Sequence, residues 1–341
     1  MVDEWRFSCF QVLLVDSQIY HECFHSNHAA CAISADGIIH IVGGYMTGKT
    51  YDTLFQTSDR HWTLDTKAAN PTWIKKAPLP KKLGAQGCVF AYDGFMYCLG
   101  GGRTQTGPFV KDNWVYMPEK DKWKQGPSMR NARDHIFESV KTIDNGTRIY
   151  VVGGRSHTQS KRMHVNSWTL AGQTEILDIA SGNWVLAQSP QQIFVNSVQI
   201  APYTYNGSNG TTQENLLLVG GQRYMGYSGL ASNTIEEYDI AKDIYYCRES
   251  LPYSIFGGVV GVYDGKLHAV GGAQWLGQAA TARVQIYDLE KAPPAKPCFY
   301  YPIPVFDTWI YNEPYPAVND MESLPSKALQ TTRNIRFKFR K

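Results

Sequence analysis

The chain has 341 residues, of which 43% are hydrophobic, and this length fits one large all-β domain or two domains of average size. Only 18% of the residues are charged and the net charge is +3, which excludes a disordered chain and does not indicate a nucleic-acid-binding protein. No apolar run approaches the roughly 18 residues of a membrane-spanning helix, so we expect a soluble protein without a membrane partner.

The first apolar run, residues 7–15, follows Asp3 and Glu4 rather than a basic leader. Secretory signal peptides carry a positively charged segment ahead of their apolar core. We therefore predict no signal peptide, and we favour a cytoplasmic location while keeping secretion as the alternative. Residues 10–15 and 19–24 are instead predicted to be two short strands.

One short pattern, an apolar strand that ends in two glycines, occurs five times. The copies are IHIVGG at 39–44, MYCLGG at 96–101, IYVVGG at 149–154, LLLVGG at 216–221 and LHAVGG at 267–272. An Asp-Gly or Asn-Gly pair precedes four of them by six or seven residues, which predicts a β-hairpin turn. The fourth copy has a longer polar loop, residues 206–211.

A second hairpin is predicted after each glycine pair. Its first strand ends at residues 64–65, 116–117, 177–178, 238–239 and 287–288. In the first four copies an aromatic residue follows, namely Trp73, Trp123, Trp184 and Tyr245. Proline comes next in several copies, where it ends an edge strand and sends the chain to the next repeat.

This order of elements resembles the kelch repeat family over about residues 27–290. The resemblance implies an all-β fold, a kelch-type β-propeller in which four antiparallel strands form each blade. We expect one domain, residues 1–341, and favour six blades, with residues 1–26 and 292–341 pairing to form the closing blade. Because no sixth glycine pair occurs, five blades with a C-terminal appendage remain an alternative.

The seven cysteines are scattered and contain no C-x-x-C pair, so no metal site is predicted. We interpret them as free thiols in the core. Cys88 and Cys98 flank Asp93-Gly94, and a two-residue turn there would place Val89 opposite Cys98. The two thiols would then lie on opposite faces of the sheet, and no bridge is expected.

Residues 43–50, GGYMTGKT, match the phosphate-binding loop pattern. That loop binds phosphate only when it opens a helix, and residues 51–62 lack a helical apolar period. The repeat already accounts for its first two glycines. We therefore predict no nucleotide, and no cofactor of any other kind.

Loops that follow the glycine pairs and loops that lead into each blade are expected to share one rim of the propeller, where binding residues commonly lie. After the glycine pairs the candidates are Tyr45, Arg103, Arg155, His157, Arg223, Tyr224 and Trp275. Before the inner strands they are His28, Asp134 and His135. Arginine clamps carboxylates and phosphates, so this set indicates an acidic peptide, a sugar acid or another anion.

We expect a monomeric, non-enzymatic module that recognises a protein or peptide. The alternative is an enzyme resembling sialic-acid mutarotases, in which Arg133, His135 and Glu138 would be the catalytic residues. Residues 145–147, 206–208 and 209–211 match the N-glycosylation pattern. Because turns also favour Asn-Gly, and no leader is recognised, we interpret these as turns.

Overall fold

The computed structural model describes residues 26–46, 56–104, 107–156, 173–189, 197–206, 211–225, 228–275, 278–280, 282–290 and 296–297. Within these ranges the regular structure is almost entirely β-strand, and the helical element is a short 3-10 turn, Pro118–Lys120. The same ranges contain no helix with the length and apolar character needed to cross a membrane.

Each repeat supplies a consecutive group of strands. The first repeat contains β1 (Ser26–Asn27), β2 (Ala30–Ile33), β3 (Ile38–Val42), β4 (Tyr45–Met46), β5 (Gln56–Thr57), β6 (His61–Asp65) and β7 (Trp73–Lys75). The second contains β8 (Gly87–Phe90), β9 (Met96–Leu99), β10 (Asn113–Met117) and β11 (Lys122–Gln125). The third contains β12 (Val140–Ile143), β13 (Arg148–Val151), β14 (Glu175–Asp178) and β15 (Asn183–Leu186).

The last two repeats carry longer hairpins. The fourth contains β16 (Gln199–Asn206), β17 (Thr212–Val219), β18 (Gln222–Met225), β19 (Ser228–Ala231), β20 (Ile235–Asp239) and β21 (Ile244–Arg248). The fifth contains β22 (Val259–Tyr263), β23 (Lys266–Val270), β24 (Ala273–Trp275), β25 (Gln278–Ala280) and β26 (Val284–Asp288), and β27 (Lys296–Pro297) follows it.

Five antiparallel sheets form the blades, each ordered outward from its inner strand. They are β2-β3-β6-β7, β8-β9-β10-β11, β12-β13-β14-β15, β16-β17-β20-β21 and β22-β23-β26, and β27 adds a further strand beside β21. Consecutive inner strands contact one another from β2 through β8, β12 and β16 to β22. The predicted all-β propeller is therefore confirmed with five blades, and nearly all of residues 1–26 and 292–341, proposed to close a sixth, lie outside the described residues.

The paired glycines occupy equivalent places in all five blades. The first glycine of each pair has φ between 62° and 68°, and the second between 80° and 103°, a region that disfavours every residue with a side chain. In the first, second and fourth pairs the second glycine also donates its N–H to the loop leading into the next blade, as Gly44 does to Leu83 (2.9 Å) and Gly101 to Arg133 (2.8 Å). The glycines therefore join neighbouring blades as well as ending strands.

The aromatic return strands join the blades farther out. In the predicted hairpins Tyr116 pairs directly with Trp123, and Leu177 with Trp184. The Trp123 indole donates a 2.8 Å hydrogen bond to the Ala77 carbonyl at the exit of the preceding blade. The aromatic side chain of one blade and the backbone at the exit of the preceding blade thus form one contact between the two blades.

The prediction of free thiols is wrong for the described cysteines. The turn after β8 is longer than two residues, because the Ala91 N–H bonds the Phe95 carbonyl and leaves three residues between them. This one-residue difference shifts the register, so that Cys88 lies directly opposite Cys98 with a Cα–Cα distance of 4.1 Å. The two are joined by a disulfide, and Cys31 and Cys247 are disulfide-bonded as well.

A pair of buried histidines lies in the first blade, facing the second. Nδ1 of His40 lies 2.9 Å from Nε2 of His61, and the His61 ring packs edge-on against Tyr116. Burial lowers the pKa of His40 to about 3 and that of His61 to about 4. Both rings are therefore neutral in the folded protein at pH values where an unfolded chain would already bind protons.

We expect acid to destabilise the fold through this pair. A histidine whose folded pKa lies below its unfolded value of 6.5 binds more protons when unfolded, so the free energy of unfolding falls as pH drops below 6.5. Between pH 6 and pH 5 the pair should account for a loss of about 2 kcal/mol, since each uncompensated proton is equivalent to about 1.4 kcal/mol per pH unit.

The measurement is urea unfolding from pH 7 to pH 5 for the wild type and for His61→Gln. The variant should have a shallower dependence on pH, by close to one proton, whatever its stability at pH 7. Equal slopes for the two proteins would show that this pair does not remain neutral on folding.

Candidate functional site

The loops leading into the blades and the loops after the glycine pairs lie side by side along one rim. In four blades, a residue in the loop before the inner strand pairs with the residue that directly follows the glycine pair of the same blade. The pairs are Asn27 with Tyr45, Gly84 with Gly102, Asp134 with Arg155 and Phe256 with Ala273. Candidate residues that are distant in the sequence are therefore held on one rim by backbone hydrogen bonds.

A second set of backbone bonds connects these loops from blade to blade. His28, Ala85 and His135 occupy equivalent left-handed positions with φ of 55–57°. Ala85 donates its N–H to the His28 carbonyl (2.9 Å), and Ser197 donates to the His135 carbonyl (3.1 Å). Candidate side chains at these positions therefore project from a fixed backbone.

Asp134 is the centre of a buried charged cluster on this rim. The Arg155 guanidinium donates from Nε to Oδ1 (2.9 Å) and from Nη2 to Oδ2 (2.7 Å), while Nδ1 of His135 lies 3.0 Å from Oδ2. Burial alone would raise the pKa of Asp134, but His135 and Arg155 hold it below its usual value. Arg155 is thus committed to an internal carboxylate, and its side chain is only 11% exposed.

Aromatic rings pack around this cluster. The His28 ring lies 5.0 Å from the His135 ring, 5.7 Å from Tyr45 and 5.3 Å from Phe137. Burial and the neighbouring His135 lower the pKa of His28 to about 3, and burial lowers the pKa of His135 as well. The Tyr45 hydroxyl donates to the Thr104 carbonyl (3.3 Å) and the Tyr45 side chain is fully buried, so it forms a fixed aromatic floor beneath the rim.

Arg103 differs from Arg155 because its residue is exposed. Its backbone is anchored on both sides, since its N–H donates to Pro108 (3.1 Å) and its carbonyl accepts from the Thr57 hydroxyl (3.0 Å). Within the described residues its guanidinium has no acidic partner. A rigid backbone therefore carries a cation that faces solvent.

The remaining candidates are described in part. His157 lies outside the described residues. Arg223 and Tyr224 lie in β18 and Trp275 in β24, and only their backbone is described. Pairing of Leu230 with Trp275 joins the rim hairpins of the fourth and fifth blades into one sheet.

Arg133 does not reach the rim. Its side chain is fully buried, with Nη2 2.7 Å from Glu175 Oε1 and Nη1 donating to the carbonyls of Gly153 (2.9 Å) and Gln173 (3.1 Å). The carboxylate of Glu175 is also fully buried. The arginine that the enzymatic alternative needs for an acidic sugar is therefore bound to a carboxylate of the protein.

Glu138 lies in the loop before β12. The Gln199 amide donates a 2.6 Å hydrogen bond to its Oε2, and burial raises its pKa to about 8. Such a shift is typical of groups that hold a proton at neutral pH. With Arg133 engaged elsewhere, Glu138 and His135 are left without the anion clamp that the mutarotase resemblance requires.

Two rim residues, Phe137 and Phe109, were missed by the sequence interpretation. Phe137 contacts His28, and Phe109 lies under the Arg155 guanidinium at 5.3 Å from its carbon. The sequence signal for Phe137 was its place two residues after His135, in the loop already recognised. Phe109 lies in a long loop whose path no periodicity predicts.

In the described part of the chain, no group of three or more metal-ligating side chains converges.

Comparison with known proteins supports the repeat. The Kelch motif family matches residues 85–130. Kelch-like protein 36 of Rattus norvegicus and that of Mus musculus are each 22% identical over 281 residues, with 72% of this chain and 44% of the relative covered. The chain thus spans less than half the length of these curated relatives.

A solved structure of YjhT is also similar, with 13% identity, a TM-score of 0.46, and 80% of this chain and 97% of that chain covered. The matched motif covers most of the second blade described above, and the other four blades repeat its glycine pair, left-handed loop and paired strands. The chain is a five-bladed β-propeller whose repeats resemble the Kelch motif.

Proposed function

We propose that this propeller is a binding module that holds an acidic protein or peptide segment across the rim formed by Arg103 and the loop of His135 and Phe137, above the buried Tyr45. The observation that carries the proposal is the exposed Arg103 on an anchored backbone, beside a rim whose other described arginine is neutralised. A kelch-repeat propeller is consistent with such a role, and binding as a monomer is part of the proposal.

The chemistry of the rim supports a carboxylate-bearing partner. A guanidinium without an internal partner can form two parallel hydrogen bonds with a carboxylate. Because the Asp134 cluster is already neutralised, it adds little repulsion toward an anion. The half-buried rings of His28 and Phe137 beside it offer flat apolar contact to the residues that flank the partner's acidic group.

We expect Arg103→Ala to weaken such binding by about ten- to a hundred-fold, the range for a lost hydrogen bond to a charged group. The probe is a synthetic peptide selected by panning a random phage-displayed library on the folded propeller, and its affinity is measured by fluorescence polarisation. The selected sequences should be enriched in Asp and Glu. Raising the salt concentration should weaken binding of the peptide to the wild-type protein.

Lys120→Ala is the matched control, because it also removes one exposed positive charge but lies in the 3-10 turn after β10, at the far side of the blade from the glycine pair. It should leave the affinity unchanged. An Arg103→Ala protein that binds as tightly as the wild type, or selected peptides without acidic residues, would refute the proposal. Arg155→Ala is unsuitable as a probe, since it would leave the buried Asp134 carboxylate unpaired.

A further inference from the structure

All four cysteines in the described part of the chain, Cys31, Cys88, Cys98 and Cys247, are disulfide-bonded. The Cys88–Cys98 bridge joins β8 to β9 in the middle of the second blade, and both residues are buried, with exposures of 5% and 2%. Access to this pair requires opening of the sheet. Its oxidation therefore accompanies folding and reports the compartment in which the chain folds.

Disulfides form and persist in oxidising compartments, whereas the cytosol keeps protein thiols reduced. Oxidation of Cys88 and Cys98 breaks two S–H bonds, forms one S–S bond and passes two electrons and two protons to a dithiol-disulfide exchange protein. Such oxidants operate where secreted proteins fold. N-glycosylation belongs to the same secretory route, so the oxidised cysteines make the chain's three N-glycosylation patterns candidate modification sites.

The pattern at 145–147 lies between β12 and β13, and in the sequence the patterns at 206–208 and 209–211 begin at the last residue of β16 and end before β17, in the next blade. The two hairpins touch, since the Asp144 N–H donates to the Glu214 carboxylate (3.1 Å). The strands β13 and β17 each begin after such a pattern in the sequence and end before a glycine pair. Glycans there would project from the face opposite the rim and leave the rim accessible.

Asn145 is the best described of these positions. It is exposed, has φ of 55° in the turn between β12 and β13, and its side-chain amide has no hydrogen-bond partner among the described residues. The Tyr92 backbone lies beside this turn, since its N–H donates to the Gly146 carbonyl (3.2 Å), and the Tyr92 side chain is exposed. The fold thus leaves the amide free, on a turn whose backbone is bonded to an exposed aromatic residue.

We propose that this chain folds in an oxidising compartment and carries an N-linked glycan on Asn145, on the face of the propeller opposite the rim. A lipid-linked oligosaccharide is the donor. The Asn145 amide nitrogen forms a bond to the anomeric carbon of the first sugar and loses a proton, and the lipid diphosphate leaves. The cytoplasmic location expected from the sequence gives way, in this proposal, to the secretory route.

Mass spectrometry of the full-length chain tests the disulfide, with cells lysed directly into denaturant that contains N-ethylmaleimide, so that buried free thiols are alkylated as well. Trypsin releases Cys88 and Cys98 in one peptide, residues 83–103, because no Lys or Arg lies between its ends. We expect this peptide to be unlabelled before reduction and labelled twice after it. Labelling of both cysteines before reduction would overturn the proposal.

The same digest tests the glycan on the peptide of residues 142–148. Peptide N-glycosidase in heavy-oxygen water should convert Asn145 to an aspartate that carries heavy oxygen. A parallel incubation without the enzyme corrects for the spontaneous deamidation to which exposed Asn-Gly pairs are prone. An unmodified Asn145 in a chain with an intact Cys88–Cys98 bridge would also overturn the proposal.

Variants separate the glycan from the turn. Asn145→Gln and Thr147→Ala should abolish the mass shift, whereas Thr147→Ser preserves the pattern and should retain it. Thr147→Ser also keeps a hydroxyl to bond the Asp144 carbonyl (2.9 Å in the wild type). Loss of the modification in Thr147→Ser would show that it does not depend on the glycosylation pattern. None of these measurements depends on partner binding.

Discussion

Gly220→Ala is expected to lower the free energy of unfolding by about 2–5 kcal/mol. Gly220 is the first glycine of the fourth pair, with φ of 65°, and a side chain in that conformation costs about 1–2 kcal/mol. A Cβ there would also overlap the Ile255 carbonyl oxygen in the loop leading into the fifth blade. Because that carbonyl accepts the Gly221 N–H (2.9 Å), relief requires the blades to separate, and overpacking of this kind adds about 1–3 kcal/mol.

Two other glycines in the fifth repeat separate the backbone penalty from the penalty for atomic overlap. Gly257 has φ of 62° but open space around its Cβ position, so Gly257→Ala should show only the backbone penalty of about 1–2 kcal/mol. Gly261 lies in β22 with open space and no positive φ, so Gly261→Ala should stay within about 0.5 kcal/mol of the wild type. Equilibrium urea unfolding measures all three. An equal loss for Gly220→Ala and Gly257→Ala would contradict the role of close approach between blades.

The repeat could be predicted from the sequence because the glycine pair has one physical cause in every blade. Each pair needs the same left-handed backbone and the same close approach between blades, so two glycines recur at the same place in every repeat of the sequence. The tyrosine and tryptophan of the second hairpin could be recognised in the sequence for a similar reason, since Tyr116 and Trp123 must pair in register. What repeats in space for a steric reason also repeats in the sequence.

The register of the Cys88 hairpin could not be predicted in the same way. Asp93-Gly94 is compatible with a two-residue turn and with a longer one, and only Gly94 needs the left-handed conformation here. One residue of difference exchanges the faces of every side chain in the strand. The sequence therefore predicted a hairpin correctly and the partner of Cys98 wrongly.

The rim arginines illustrate a second limit. Arg103 and Arg155 both follow glycine pairs, Arg155 directly and Arg103 after one further glycine, and this local difference does not predict which of them has a carboxylate partner. The structure separates them because Asp134, 21 residues before Arg155, pairs with it across the same blade, while Arg103 lies one residue beyond the equivalent position and faces solvent. Ion pairs between distant residues depend on the tertiary path, which a local pattern does not contain.

Arg133→Met should lower the free energy of unfolding by about 3–5 kcal/mol, the range for removal of one partner of a buried ion pair. The change leaves the Glu175 carboxylate buried with the Asn131 side chain and the backbone N–H groups of Arg130 and Asn131 as its donors. Adding Glu175→Gln should recover part of the loss, because a neutral amide is less costly to bury than an unpaired charge. The double variant should remain below the wild type, since one amide cannot accept from all of those donors.

Arg148→Met is the matched control, because the Arg148–Asp144 pair has side chains 44% and 39% exposed and should contribute less than about 1 kcal/mol. Urea unfolding at pH 7 gives all four stabilities. The same experiment separates two roles for Arg133. If this residue bound a sugar carboxylate, its loss would spare stability and abolish ligand binding, whereas a structural tie between strands β13 and β14 predicts the opposite. A folded Arg133→Met protein with wild-type stability would therefore contradict the buried pair and reopen the enzymatic alternative.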